Sequence, residues 1–337
     1  MSIFFKSTEI NIFILSHRTT DRDLYWKNIK NVVDWTEKYG YTGVLLFEGN
    51  DTFISPWVAA QEALARTKRV SPLIAVNPIY MHPFSAAKLV SSYAQIYKRR
   101  IYLNMITGTA LNYLHSMDDK MSHDDRYRRI EEYIEIMKRL LSSTAPVSYS
   151  GDYYNVSELQ LLPGINTEFM PSFLLSGQSD AACDVAKKTN SVGTQMLTPE
   201  MARGLKSAKA INFGILCRPT DSEAWEDAYQ MFPEDPDSQI ILEYSMENTD
   251  SVWKKRMQLA SKYAEHKSIG YWMSPFTNFQ SDGPYLVGSY DRVATIISDL
   301  IKAGIHTFIL DITPNEAEYA HIASAFSAAK EKLGQSV

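Results

Sequence analysis

Three short clusters in the middle of this chain carry residue types that can hold an anionic, flat ligand. The first is Asn104-Met-Ile-Thr107-Gly108, at the end of an apolar run. The second is Ser122-His-Asp-Asp-Arg-Tyr127, which opens a long segment of helical period. The third is Ser176-Gly177-Gln178-Ser179, again at the end of an apolar run and directly before a helical segment. Amides, hydroxyls and glycines at two strand ends and a helix N-terminus are what a phosphate group needs. Free backbone N–H groups and the helix dipole both favour an anion there. The same residues also have plain structural uses. Ser122 with Asp125 three positions on makes an N-cap, and the 176–179 segment could be only a turn and a cap. His17 follows the first apolar run in LSHRTT, where a histidine can meet a ligand or cap a loop. No HExxH, CxxC or carboxylate–histidine cluster is present, so no catalytic metal is expected.

Composition narrows the partners. The 337 residues carry a net charge of -5, which argues against a nucleic-acid backbone as partner. No apolar run reaches the ~18 residues that a membrane span requires, and the opening MSIFFKSTEINIFILS reads as a strand, not a signal peptide. Two cysteines, Cys183 and Cys217, sit among apolar neighbours and read as buried thiols, consistent with a reducing cytoplasm. A small molecule is the expected partner.

The elements that must position these residues alternate along the chain. Apolar, β-branched runs at 10–15, 42–47, 70–76, 101–106, 173–176, 192–197, 210–217 and 307–311 read as strands. Helical segments follow at 24–39, 56–66, 83–96, 124–141, 180–188, 199–206, 221–231 and 316–333. Gly40 stops the first helix, and prolines open several others. Continuous apolar strands belong to a parallel sheet buried on both faces. Eight of them with intervening helices predict an α/β fold, a (β/α)₈ TIM barrel, whose active site lies at the strand C-termini. A doubly wound open sheet is the runner-up, but no GxGxxG follows the first strand. One domain over 1–337 is expected, with a hairpin inserted at about 149–162 and a lid-like excursion at 232–288, including a helix near 251–266. Asp311 ends the last strand, as a mouth carboxylate or as a cap for the next helix.

The order and spacing of these clusters resemble the bacterial luciferase-like flavin monooxygenases, nearest the alkanesulfonate monooxygenase branch. The resemblance runs from 10 to about 330. It implies that Asn104, Thr107 and Gly108 meet the flavin or its ribityl chain. It also implies that Tyr127 and the loop Ser176, Gly177, Gln178 and Ser179 hold the phosphate, with Gln178 replacing a serine of the family's loop. His17 matches a mouth histidine and is expected to bond or move a proton near the reacting edge of the flavin. The implied cofactor is FMN, reduced by a separate flavin reductase. O₂ would add at flavin C4a, and the resulting peroxide would oxygenate an organic substrate. The substrate side departs from the branch: Thr52, Asn212, Gly214, Phe279, Thr313 and Asn315 stand where it has Cys, Arg, His, Arg, Tyr and His. Arg218 and Arg292, the nearest cations, are expected to face outward. A simple alkanesulfonate is therefore not the expected substrate. Thr52, Asn212, Phe279 and Thr313 are expected to line its pocket, with Phe47, Tyr80, Trp272 and Phe276 as pocket or core aromatics. A homodimer or homotetramer is expected. Two alternatives are a deazaflavin-dependent hydride-transfer enzyme of the same superfamily and a catalytically silent flavin-binding protein.

Overall fold

A computed structural model describes residues 3–5, 7–17, 19–204, 208–261 and 267–334. Eight parallel strands close into a barrel: β1 (Thr8–Leu15), β2 (Gly43–Leu46), β3 (Leu73–Val76), β4 (Tyr102–Met105), β5 (Ser172–Ser176), β6 (Val192–Met196), β7 (Ala210–Arg218) and β8 (Thr307–Asp311). Neighbours pair in that order, and β8 pairs with both β7 and β1, so no edge is left open. The expected TIM barrel is the observed fold. Phe13, Leu15, Leu45, Leu73, Leu174 and Ile309 fill the barrel interior as one cluster. The larger core lies between the strands and the helices α1 (Arg22–Tyr39), α2 (Pro56–Arg66), α3 (Pro83–Tyr97), α4 (His123–Ser142), α5 (Asp180–Lys188), α6 (Asp221–Met231), α7 (Tyr290–Lys302) and α8 (Glu316–Gly334).

Local chemistry sets the element ends. Asp21 caps α1 by accepting from the Asp23 and Leu24 amides, and Gly40 ends it at φ 73, the left-handed conformation that glycine tolerates best. Ser122 Oγ accepts the Asp125 amide at 3.2 Å and donates to its carboxylate at 2.5 Å. The cap read from the sequence is real and sets where α4 starts.

Four features differ from expectation. Ile3–Phe5 folds back antiparallel on β1 as a separate strand. A short helix, Leu111–Ser116, follows β4. Tyr285–Ser289 forms a ninth parallel strand on the outer half of β7, and α7 follows it. β7 is nine residues long because 210–214 complete the barrel while 214–218 carry this extra strand. Gly214 is the crossing point: a Cβ there would lie 2.2 Å from the Tyr285 ring. Lastly, Cys183 is exposed, not buried. The buried face of α5 is Ala182, Val185 and Ala186, and residue 183 lies about 100° away from residue 182 around the helix.

The inserted hairpin is Val147–Ser150 with Asn155–Leu159. The excursion holds helices Ser238–Glu247, Val252–Ser261 and Ser274–Thr277. The ends of two expected helices, at 205–206 and 262–266, lie outside the described residues. Among the described residues no helix is long and apolar enough to cross a membrane.

Candidate active site at the barrel mouth

The C-terminal ends of β4 and β5 bring the three sequence clusters together. Asn104 and Thr107 are buried, and the Ser176 hydroxyl donates to Asn104 Oδ1 at 2.8 Å. The amide nitrogen of Asn104 meets no acceptor among the described residues. Gly108 takes φ 79, and a Cβ there would press on Leu114 at 3.0 Å and Asn77 at 3.1 Å. Tyr127, in the second turn of α4, is 4% exposed and donates its hydroxyl to the Ser176 carbonyl at 2.9 Å. Burial pushes that hydroxyl up to about 12, and a Thr107 hydrogen bond opposes the shift. It is therefore a proton donor across the whole neutral range.

Gly177 makes the cradle. Its φ is 149, and a Cβ would sit 2.2 Å from the Tyr127 hydroxyl oxygen and 2.7 Å from Ala182 Cβ. Ser179 caps α5 by accepting the Ala182 amide at 3.2 Å. The amides of Gln178, Ser179, Asp180 and Ala181 have no acceptor among the described residues. Four unpaired N–H groups at a helix N-terminus, beside a buried phenol and a glycine without room for a side chain, fit a phosphate.

The excursion roofs this end of the barrel and is anchored on two sides. Asn248 bonds Asn112 through side chain and backbone, at 2.7 Å and 2.9 Å. Arg126, fully buried on α4, grips both carboxylate oxygens of Asp250 at 2.8 and 2.7 Å. On the far side the Ser281 hydroxyl donates to Asp311 Oδ2 at 2.7 Å. Burial and the same carboxylate hold the Tyr285 hydroxyl well above the usual phenol range. Asp311 is thus a mouth carboxylate that holds the roof. The roof reaches the phosphate loop as well, where Arg256 donates to the Gln178 carbonyl at 3.1 Å.

The remaining sequence candidates are dispersed. His17 is half-buried two residues beyond β1, on the side of β1 where Phe13 and Leu15 face the interior. Thr52 donates to the Gly49 carbonyl at 2.8 Å in the loop after β2. Asn212 lies on β7, two residues from the Gly214 crossing and half-buried. Thr313 is half-buried beyond β8, its carbonyl accepting from Asn315 at 2.7 Å. Phe279 is 44% exposed under Lys254, outside the enclosed part of the mouth. Trp272 packs into a core cluster with Phe232 and Tyr285, and Phe276 is fully buried in the main core, so these two are core. Arg218 is buried, not outward-facing: it pairs with Glu318 at 2.6 Å and with Asp227, which leaves it no charge for a ligand.

Sequence reasoning passed over several mouth residues. Glu48, after β2, is a half-buried carboxyl that burial raises to about 7. Thr194 on β6 is buried and its hydroxyl has no partner among the described residues. Arg126, Asp250 and Arg256 come from segments too far apart for any local pattern. No three side chains among the described residues gather as metal ligands.

Comparison with known proteins decides the family. The family described as luciferase-like monooxygenase matches residues 8–307. The chain belongs to that family. A curated relative, the 4-(gamma-L-glutamylamino)butanoyl-[BtrI acyl-carrier protein] monooxygenase BtrO of Niallia circulans, is 28% identical over 323 residues, covering 93% of each chain. Among solved structures, the oxygenating constituent of 3,6-diketocamphane monooxygenase from Pseudomonas putida, in complex with FMN, superposes with a TM-score of 0.67 at 16% identity. It covers 97% of this chain and 99% of that one. An F420-dependent secondary alcohol dehydrogenase gives the same TM-score at 17% identity, over 95% and 99%. Fold similarity alone therefore does not choose the cofactor. The family makes the luciferase-like protein an enzyme of the monooxygenase class.

Proposed function

We propose that residues 1–337 form one catalytic domain, a two-component monooxygenase that takes reduced FMN from a separate flavin reductase. With O₂ it oxygenates an organic substrate other than a simple alkanesulfonate. The observation that carries this reading is the cradle of Tyr127, Gly177 and the 178–181 amides, unpaired among the described residues and polarised for an anion such as a phosphate. FMN fits it, because the cradle asks for a phosphate and the chain has no adenine-binding fingerprint. When bound, reduced FMN supplies the electrons that activate O₂.

The residues of the chain do the rest. Tyr127 turns its donor toward the phosphate, and Gln178 and Ser179 offer backbone N–H groups. Asn104 and Ser176, already bonded to each other, present an amide N–H and a hydroxyl to the ribityl chain, with Thr107 and Gly108 beneath. The His17 imidazole holds or moves a proton at the mouth. The anchored roof excludes water, which protects reactive oxygen chemistry from wasteful hydrolysis. Thr52, Asn212 and Thr313 border the substrate, and Phe279 reaches it only if the roof carries that ring inward. A cytoplasmic location and a homodimer or homotetramer accompany this reading.

Anaerobic titration with reduced FMN, then mixing with O₂ while following the flavin spectrum, tests it. Tight binding of reduced FMN and an O₂-dependent spectral intermediate are expected. Binding of deazaflavin in preference to FMN, with no O₂ reaction, would replace this reading with hydride transfer. Flavin binding with no O₂ uptake beyond autoxidation would leave only a silent flavin protein.

A further inference from the structure

A phosphate monoester carries close to two negative charges at neutral pH, and a buried one needs more than dipoles to offset it. Among the described residues, the arginines of α4 on the barrel side of the cradle are already paired. On α4, Arg126 is committed to Asp250, Arg128 to Asp125 and Arg129 to Asp119. At the far end of α5, Lys188 pairs with Glu131. Asp180, in the first turn of α5, adds a negative charge beside the loop. One cation reaches the loop from elsewhere. Arg256, on the roof helix Val252–Ser261, is exposed, makes no ion pair among the described residues, and has its one side-chain hydrogen bond among them to the Gln178 carbonyl.

We infer that Arg256 supplies the counter-charge for the cofactor phosphate, so that the roof reads whether the cradle is filled. This rests on the flavin reading above. Two independent features place the arginine. The buried Arg126–Asp250 pair fixes the chain two residues before its helix begins, and the same α4 carries Tyr127, the donor of the cradle. The roof is thus tied to the phosphate site at its root through α4 and at its tip through Arg256. A carbonyl is a modest partner for a guanidinium. An oxyanion arriving at the 178–181 amides offers a charge-assisted, two-pronged one at the same place. Filling the cradle would then tighten the roof over the mouth before substrate chemistry begins. Riboflavin, which has no phosphate, would bind without this closure.

The test compares wild type, Arg256→Gln and Arg256→Lys, anaerobically, with reduced FMN and reduced riboflavin as probes. Tryptophan quenching gives each Kd, and hydrogen exchange follows residues 238–261. Wild type should bind FMN more tightly than riboflavin and gain exchange protection in the roof with FMN only. Arg256→Gln should lose roughly ten- to hundredfold in FMN affinity, the range for one charge-assisted bond. It should leave riboflavin unchanged and abolish the FMN-dependent protection, with Arg256→Lys in between. Equal FMN affinity in wild type and Arg256→Gln overturns the role of Arg256 while leaving the cofactor reading intact. Wild-type binding of neither flavin would instead remove the reading on which this inference rests, and the inference with it.

Discussion

The sharpest test of the cradle is a single methyl group. In Gly177→Ala the new Cβ would lie 2.2 Å from the Tyr127 hydroxyl oxygen and 2.7 Å from Ala182 Cβ, on a residue held at φ 149. Ordinary contact needs well over 3 Å, so one partner must move by about 1 Å. Tyr127 resists, being 4% exposed and tied to the Ser176 carbonyl at 2.9 Å. Overpacking of this kind costs about 1–3 kcal/mol, and the unfavourable φ adds about 1–3 more. A total of about 2–6 kcal/mol is survivable for most domains, whose stability runs to about 5–15 kcal/mol. The variant should fold, melt at lower urea, and bind reduced FMN at least tenfold more weakly, because Tyr127 is pushed off the phosphate position. Tyr127→Phe alone removes one bond and should cost about 1 kcal/mol of stability. The double variant is decisive. Without the hydroxyl, the nearest ring atom is Tyr127 Cζ at 3.0 Å, so much of the clash disappears. Urea melts of the four proteins should therefore show a favourable coupling of about 1 kcal/mol or more. Strict additivity, or unchanged flavin affinity in Gly177→Ala, would refute the geometry.

Three further outcomes follow from other parts of the mouth. Burial raises the Glu48 carboxyl to about 7, well above the usual carboxylate range, so the folded state retains a proton that the unfolded state releases. Its contribution is complete below the unfolded value and is lost as pH rises through the folded one. Glu48→Gln should therefore gain stability relative to wild type at pH 8 but not at pH 4.5; an equal difference at both would discard the shift. Ser281→Ala removes a 2.7 Å bond to Asp311 and should speed hydrogen exchange across 274–284 while costing about 1 kcal/mol. Unaltered exchange there would mean that this contact does not hold the roof. Alkanesulfonates, supplied with FMN and a reductase, should release sulfite far more slowly than the reductase delivers reduced flavin; matched rates would show that the mouth holds a cation for them after all.

The barrel was legible because its strands are buried on both faces and so read as uninterrupted apolar runs. Seven of the eight fell within two residues of the observed strands at both ends, from Thr8–Leu15 to Thr307–Asp311, and the third, read from 70, begins at Leu73. Tyr285–Ser289 escaped because it pairs outside the closed barrel, on the far half of β7, and only register reveals that β7 serves two partners. Cys183 misled for a similar reason. Alanines on both sides suggest burial in one dimension, while the helix turns that position away from the buried Ala182, Val185 and Ala186.

The meeting of the sequence clusters at the ends of β4 and β5 was legible and the roof was not, and the difference is sequence distance. Asn104, Tyr127 and Ser176–Ser179 lie at strand ends and a helix start, positions that local pattern can mark. Arg126 and Asp250 are separated by 124 residues, and Arg256 and Gln178 by 78. Nothing local announces that a helix from the excursion will lie against the phosphate loop. The same distance accounts for the substrate side. Substituting Asn212, Gly214 and Phe279 for cations looks like a loss of function when each is read alone. The structure gives Gly214 another use and takes Phe279 away from the enclosed mouth. Gly214 admits the Tyr285 ring, while Phe279 lies out on the roof beneath Lys254. Arg218, the cation nearest by sequence, is neutralised by Glu318 and Asp227 behind β7. With that charge spent on packing and the Glu48 carboxyl raised to about 7 by burial, the mouth offers little to an anionic substrate. On the proposed reading, substrate is then selected by shape and hydrogen bonding under the roof, and Arg256, which makes no ion pair among the described residues, is left for the cofactor phosphate.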